Sequence, residues 1–169
     1  ATSGVGMSWW VATMAFQGGT GLKFNIIPQV GAGAHAIAQV AGGHTDLGVI
    51  ALGAAKPQVD AGNARLLAVF GSKRAPGFET IPSLKDVGYD ISWESTNLVM
   101  GPPKMPKDIT DKLVKAFETA ANEPEYVKFL IERYAMPTYL PPDKVVSFLD
   151  ERRVVVRGIM EKAGILKEK

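Results

Sequence analysis

The sequence predicts an α/β fold built on a mostly parallel sheet with helices on its faces. Three observations carry that prediction. Short apolar, β-branched runs alternate with stretches of helical periodicity through residues 1–95. Glycine punctuates the junctions, with 11 of the 18 glycines in the first 55 residues. Charge nearly vanishes from that same stretch, where Lys23 and Asp46 are the charged side chains. Strands buried on both faces read as continuous apolar runs, which is the signature of a parallel sheet.

Each element follows from local chemistry. Ala1 to Gly6 reads as the end of a strand running into a Gly-rich turn. The strand itself is missing, so the chain reads as a piece of a longer protein. Met7 to Phe16 predicts a helix closed near Gly18-Gly19, and Leu22 to Pro28 a strand. Gly33 to Val40 predicts a helix stopped by Gly42-Gly43, and Asp46 to Ile50 a short apolar strand. Ala54 to Asp60 predicts a short helix, and Arg65 to Gly71 a buried strand. Ser83 is placed to cap a short helix after the Thr80–Leu84 loop, and Ile91 to Met100 predicts a long strand or crossover.

From Lys104 onward the chain turns charged and helical. Pro106 opens a helix whose apolar face is Ile109, Leu113, Val114, Phe117 and Ala120. A shorter helix directs Tyr126, Phe129, Leu130 and Tyr134 inward. Pro141-Pro142-Asp143 starts the last helix, which buries Val145, Phe148, Leu149, Val156, Ile159 and Met160. The composition break marks two regions joined between Tyr89 and Pro103.

Bulk properties exclude several function classes. A formal charge of +2 is too small to point to nucleic acid or an anionic membrane surface. With no cysteine there is neither a disulfide framework nor a thiolate metal site. No apolar run approaches the roughly 18 residues of a membrane span.

The chemistry concentrates in two Gly-rich strand-to-helix turns. One contains Ser3, Gly4, Gly6, Met7 and Ser8, with Trp9 just inside the helix. The other contains Gly31, Ala32, Gly33, Ala34 and His35. In open α/β sheets such turns line one edge, and ligands bind there. The first N–H groups of each helix have no internal partner and favour an anion. Neither turn holds an acidic residue, and neither has dinucleotide or P-loop spacing, so a carboxylate fits better than a nucleotide. Ala51 opens a third turn that offers an apolar wall on the same edge. Glu151-Arg152-Arg153 reads as a solvated helix face, and Trp9-Trp10 as one pocket and one core aromatic.

No catalytic residue, metal site or cofactor is assigned. His35 and His44 flank one short helix and do not share a metal, and the Gly-x-Ser-x-Gly elbow is absent. An α/β enzyme acting on a small phosphate or carboxylate ester stays open as the alternative. It requires a base beside Ser3 or Ser8.

Several segments resemble, in order, the solute receptors of tripartite tricarboxylate transporters, the TctC or Bug family. They are Ile27-Pro28 with Gly31, Gly42-Gly43-His44-Thr45-Asp46, Ala61 to Val69, Ile81-Pro82-Ser83-Leu84, Val87-Gly88-Tyr89, and Gly101 to Pro106. Gln29-Val30, Trp9-Trp10 and Thr96-Asn97 depart from the family pattern. The resemblance implies a type II periplasmic-binding-protein-like architecture. Residues 1–95 would form most of the second lobe, and 96–169 a crossover strand and the helical C-terminal part of the first. It implies a C-terminal piece lacking the N-terminal part, working in the periplasm or otherwise outside the cytoplasm. It further implies a small mono-, di- or tricarboxylate ligand, transporter membrane subunits or a sensor system as partners, and no nucleic acid. A sheet cut at an inner strand exposes its edges, so a dimer or segment swap is expected of such a piece.

Overall fold

The computed structural model describes residues 1–166. A parallel pair, β1 (Thr2–Ser3) and β2 (Pro28–Gln29), lies at its centre in the register Thr2↔Pro28, Ser3↔Gln29. Six helices follow the predicted order: α1 Ser8–Thr20, α2 Ala32–Ala41, α3 Leu52–Asp60, α4 Lys107–Ala121, α5 Pro124–Glu132 and α6 Pro142–Lys162. The fold is α/β with a parallel sheet, as the residue pattern predicts.

The strands are shorter than predicted. Of the Leu22–Pro28 run, Pro28 enters the ladder, and the carbonyl of Ile27 accepts from the Thr2 amide at 3.2 Å. The 46–50 run carries no assigned strand, yet it flanks β1. The amine of Ala1 donates to the Leu47 carbonyl, and the Val49 amide donates to the Ala1 carbonyl at 3.0 Å. Two bonds bracketing one residue in this sense are the parallel pattern. The 65–71 run pairs at one point, the parallel bridge Val69↔Ser83, and the Trp93 amide donates to the Phe70 carbonyl at 2.7 Å. Residues 94–100 carry no assigned secondary structure and make no ladder bonds among the described residues.

Helix α1 continues one turn beyond the predicted stop. Gly18 and Gly19 sit inside it, and Gly21 ends it at φ 71°, its amide donating to the Gln17 carbonyl. The reason is steric: a Cβ at Gly19 would lie 2.5 Å from Ile91 Cδ1, so the bare backbone is the surface on which Ile91 packs. Trp10, Val11, Ala12 and Thr13 are consecutive buried residues, so α1 is covered on more than one side. Trp10, Val11, Ala12 and Trp93 form the core, with Ile26, Val49 and Phe70 against it. Helix α6 adds Val156, Ile159 and Met160 to that cluster, joined by its C-cap residue Ala163.

The predicted burial of α4 and α5 does not hold. Ile109, Leu113, Phe117, Tyr126 and Phe129 are exposed, and neither helix has a fully buried residue. Their periodicity is helical, but among the described residues no layer covers the apolar stripe. They face an open trough of about 2160 Å³. In α6 the buried role is limited as well: Leu149 is exposed, and the residues that meet α1 lie in the last two turns.

The short helix after Ser83 is a single 3-10 turn, Lys85–Val87, with Leu84 at its N-cap, and Ser83, one residue earlier than that cap, bonds reciprocally with Asp86 inside it. The Ser83 amide donates to Asp86 Oδ2 at 2.9 Å, and the Asp86 amide donates to Ser83 Oγ at 3.2 Å. Arg74 Nε donates to the same carboxylate at 2.9 Å.

Trp10→Ala will cost about 3–5 kcal/mol in chemical denaturation. Ile109→Ser and Phe117→Ser will each stay within about 0.5 kcal/mol, the range of surface changes. The Ser83 amide, then Arg74, hold the Asp86 carboxyl below its ordinary value. The stabilisation it contributes is therefore full above the ordinary carboxylate pKa and is lost as pH falls through the depressed one. Asp86→Asn will flatten that acid limb of the thermal-melt profile, and an unchanged limb would refute the assignment.

Candidate functional site

The turn after β1 is built by glycine and sealed by serine. The Met7 amide donates to the Gly4 carbonyl at 3.0 Å, closing a turn in which Gly6 takes φ 78°. A non-glycine residue there would be in the left-handed region. Ser3 is buried at 3 % exposure, and its Oγ accepts from the Trp10 amide at 3.3 Å. The hydroxyl thus satisfies one of the otherwise unpaired amides of the first turn of α1, from seven residues upstream. Predicted as a ligand donor, Ser3 faces the helix instead. The amides of Ser8 and Trp9 have no bond among the described residues.

The turn after β2 brings Gly31 to φ 101° as N-cap of α2, without a side-chain cap. His35 folds back over it, Nδ1 lying 3.3 Å from the Gly31 carbonyl. Ala32 heads the helix, and its side chain lies outside the described residues; Ala34 and His35 are exposed. Gly33 is buried: a Cβ there would lie 3.0 Å from Ala54 Cβ, so its absence lets α2 close on the start of α3. Ala51 is the N-cap of α3, again without a side-chain cap, and the Ala54 and Ala55 amides take its carbonyl.

The β1–β2 register places Gly4 and Val30 as successive residues beyond one sheet edge, and Ala51 follows the 47–49 segment on the other side of β1. The three turns therefore share a rim, with the starts of α1, α2 and α3 upon it. The trough is a different feature. Of the predicted site residues it takes in Trp9 and Ala51, whereas Ser3 to Ser8 and Gly31 to His35 lie outside its wall. Trp10 is the core aromatic and Trp9 the half-buried one.

Two residues beside the first tip escape a reading of the turns alone. The Trp93 indole N–H donates to Ser8 Oγ at 2.9 Å. The Arg152 guanidinium carbon lies 5.2 Å from the Trp93 ring centroid and 5.3 Å from that of Phe148, within cation–π range of both. Of the trio expected to form a solvated face, Glu151 and Arg153 are exposed and Arg152 is half-buried. The signal was available: Phe148, Arg152 and Val156 are spaced by four, on one helical stripe.

His35 is taken up with Gly31, and neither Ser3 nor Ser8 has an imidazole beside its hydroxyl among the described residues. Among the same residues no His, Asp and Glu cluster fits a metal, and no helix is long and apolar enough to cross a membrane.

Comparison with known proteins adds the following. The family model described as tripartite tricarboxylate transporter family receptor matches residues 1–165. A UPF0065 protein of Cupriavidus necator is 31 % identical over 147 residues, covering 87 % of this chain and 44 % of its own. Protein BugT of Bordetella pertussis is 26 % identical, covering 97 % of this chain and 50 % of its own. The chain thus spans about half the length of the curated relatives it matches. A crystal structure of a TctC solute binding protein from Polaromonas superposes with a TM-score of 0.77 at 25 % identity, over 95 % of this chain and 56 % of that one. A protein of R. palustris solved with adipate has the same fold, with a TM-score of 0.78 at 23 % identity, over 96 % of this chain and 56 % of that one.

The second tip yields a two-part expectation. Gly31→Ala will destabilise by about 1–2 kcal/mol from its positive φ alone, with an added clash because a Cβ would lie 2.4 Å from His35 Nδ1. Adding His35→Ala will recover the clash and leave the backbone cost. Full recovery in thermal or denaturant melts would show that the φ value carries no strain.

Proposed function

This chain belongs to the tripartite tricarboxylate transporter receptor family, and on that premise we propose that it captures a small organic carboxylate outside the cytoplasm for the membrane subunits of a transporter. The observation that carries the reading is the shared rim. Two Gly-rich turns one ladder step apart end in helix starts that leave amides open: α2 has no side-chain cap, and in α1 Ser3 takes the Trp10 amide but not those of Ser8 and Trp9. Uncapped amides are donors in search of an acceptor, and a carboxylate offers two oxygens with several lone pairs. Charge-assisted N–H···O bonds are roughly twice as strong as neutral ones, and the helix dipoles add to them.

Each residue has a role in this reading. The backbone of Gly4, Gly6, Met7 and Ser8 receives one edge of the carboxylate, with the Ser8 hydroxyl beside it. Gly31, Ala32, Gly33 and Ala34 present the second tip, and His35 stands at its mouth. Ala51 and Trp9 supply apolar wall for the ligand's carbon chain. Ser3 acts at one remove by holding Trp10. Residues 1–95 make up most of one lobe and 96–169 the crossover and helical part of the other, and the lobes close over the ligand by hinge motion. The adipate in the R. palustris protein is a ligand of the chemistry proposed here.

Isothermal calorimetry of the full chain with a series of straight-chain carboxylates and their uncharged amides tests the assignment. Acids should bind and matched amides should not. Absence of binding by any acid, or equal binding by the amides, would remove the anion-receiving role.

A further inference from the structure

We propose that Tyr134 is a latch between two walls of the trough: its ring, lodged against Phe78 and Lys56, holds the end of α5 to α3 and sets how far the walls stand apart. This deepens the two-lobe reading given above and rests on it, because α3 and Phe78 belong to residues 1–95 and Tyr134 to residues 96–169. The backbone of Tyr134 is the first sign. Tyr134 follows Arg133, the C-cap of α5, and takes φ 59°. Its amide donates to the Ile131 carbonyl at 2.9 Å, and the Ala135 amide donates to the Leu130 carbonyl at 2.9 Å. This pair of bonds ends a helix through one left-handed residue, a place usually taken by glycine. A side chain is disfavoured there. Such conformations persist where the surroundings over-determine them, and they collect at clamps and switches.

What holds Tyr134 in place comes from other segments. Its ring meets the Phe78 ring edge to face, with centroids 4.7 Å apart. Lys56 Nζ, on α3, lies 5.6 Å from the Tyr134 centroid and 6.0 Å from that of Phe78. Lys56 is itself oriented by its ion pair with Asp60, one turn along the helix. The backbones close in as well. A Cβ on Gly53 would lie 3.0 Å from the Arg133 carbonyl oxygen, so the end of α5 sits directly on the first turn of α3. A Cβ on Gly77 would lie 3.4 Å from Tyr134 Cε1. Three segments distant in sequence thus converge on one ring.

The loop that carries Phe78 is braced, so the ring is a fixed stop. Arg74 Nη1 donates to the Glu79 carbonyl at 2.8 Å, and the Gly77 amide donates to Glu79 Oε1 at 2.8 Å. The Arg74–Asp86 bond ties that loop to the turn after Ser83. Gly53 and Tyr134 line the trough on its two sides, and Leu113 of α4 lines it beside them. Helix α4 packs on α5. A shift in the seat of Tyr134 therefore carries α5, and α4 with it, relative to α3.

The sequence has no cysteine, so spin labels attach only where cysteines are introduced. Ala61→Cys after α3 and Lys115→Cys on α4 are both exposed positions. Labels there report the spacing of the walls by double electron–electron resonance, on the full chain without ligand. The labelled parent should give one narrow distance distribution. Tyr134→Ala and Phe78→Ala should each broaden it and move its mean outward, whereas Tyr134→Phe, which keeps the ring, should leave it in place. Tyr134→Gly relieves the backbone and removes the ring, and should broaden the distribution as Tyr134→Ala does. Circular dichroism checks helix content; if a change at Tyr134 unravels α5, Phe78→Ala, which lies outside that helix, decides. A broad distribution in the parent, or an unchanged one in Phe78→Ala, would overturn the latch. A Tyr134→Gly distribution as narrow as the parent's would do the same. The measurement needs no carboxylate, so any of these results beside normal binding in calorimetry would leave capture standing. Absent binding beside the expected distances would overturn capture and leave the latch.

Discussion

Two residue pairs, Thr2 with Pro28 and Ser3 with Gln29, decide where everything else in the site can be. Parallel strands send their following turns out over the same edge. The pairing therefore brings the glycine turns before α1 and α2 to one rim, although 26 residues of sequence separate Gly4 from Gly31. Side chains alternate along a strand, so a slip of one residue would exchange Thr2 and Ser3 between faces. Ser3 would then leave the Trp10 amide, and the first turn of α1 would lose its seal. Register, cap and rim are one constraint seen at three scales.

Much of this was legible in the residues, for reasons that differ by element. Helix starts could be read because Pro106, Pro141 and Ser83 suit positions at or beside a helix start, and the end of α2 because Gly42 suits its position. Those are local effects, and local sequence reports them. Strand lengths could not be read the same way. A strand exists through its neighbours, and the apolar run from Leu66 to Gly71 meets Ser83 and Trp93 at single points. The apolar stripe of α4 shows the same gap: periodicity names the face that would be buried but not what buries it. Gly18 and Gly19 misled for another reason. They stand inside α1 because Ile91, far along the chain, packs where a side chain would be.

At the site, glycine spacing located the rim, yet hydroxyls were harder to assign. Ser3 and Ser8 look alike in sequence and end in opposite roles, one turned into the helix and one bonded to Trp93. The difference lies in partners from other segments. Arg152 was hidden because charge runs usually mark solvent, and only its place in the stripe of Phe148 and Val156 distinguishes it from Arg153. The rim rests on well-buried elements, whereas α4 and α5 bury little. Rigidity and mobility are thus expected to divide along that line, since openings of low cost occur where few apolar contacts are made.

The packing of α6 on α1 carries a consequence for folding. The two helices that complete the central cluster, Ser8–Thr20 and Pro142–Lys162, are far apart in sequence, so their contact is strongly non-local. Closing so long a loop must precede the reward of burying Trp10 and Val11. That contact is therefore expected to form late, once the intervening segments have brought the two helices together.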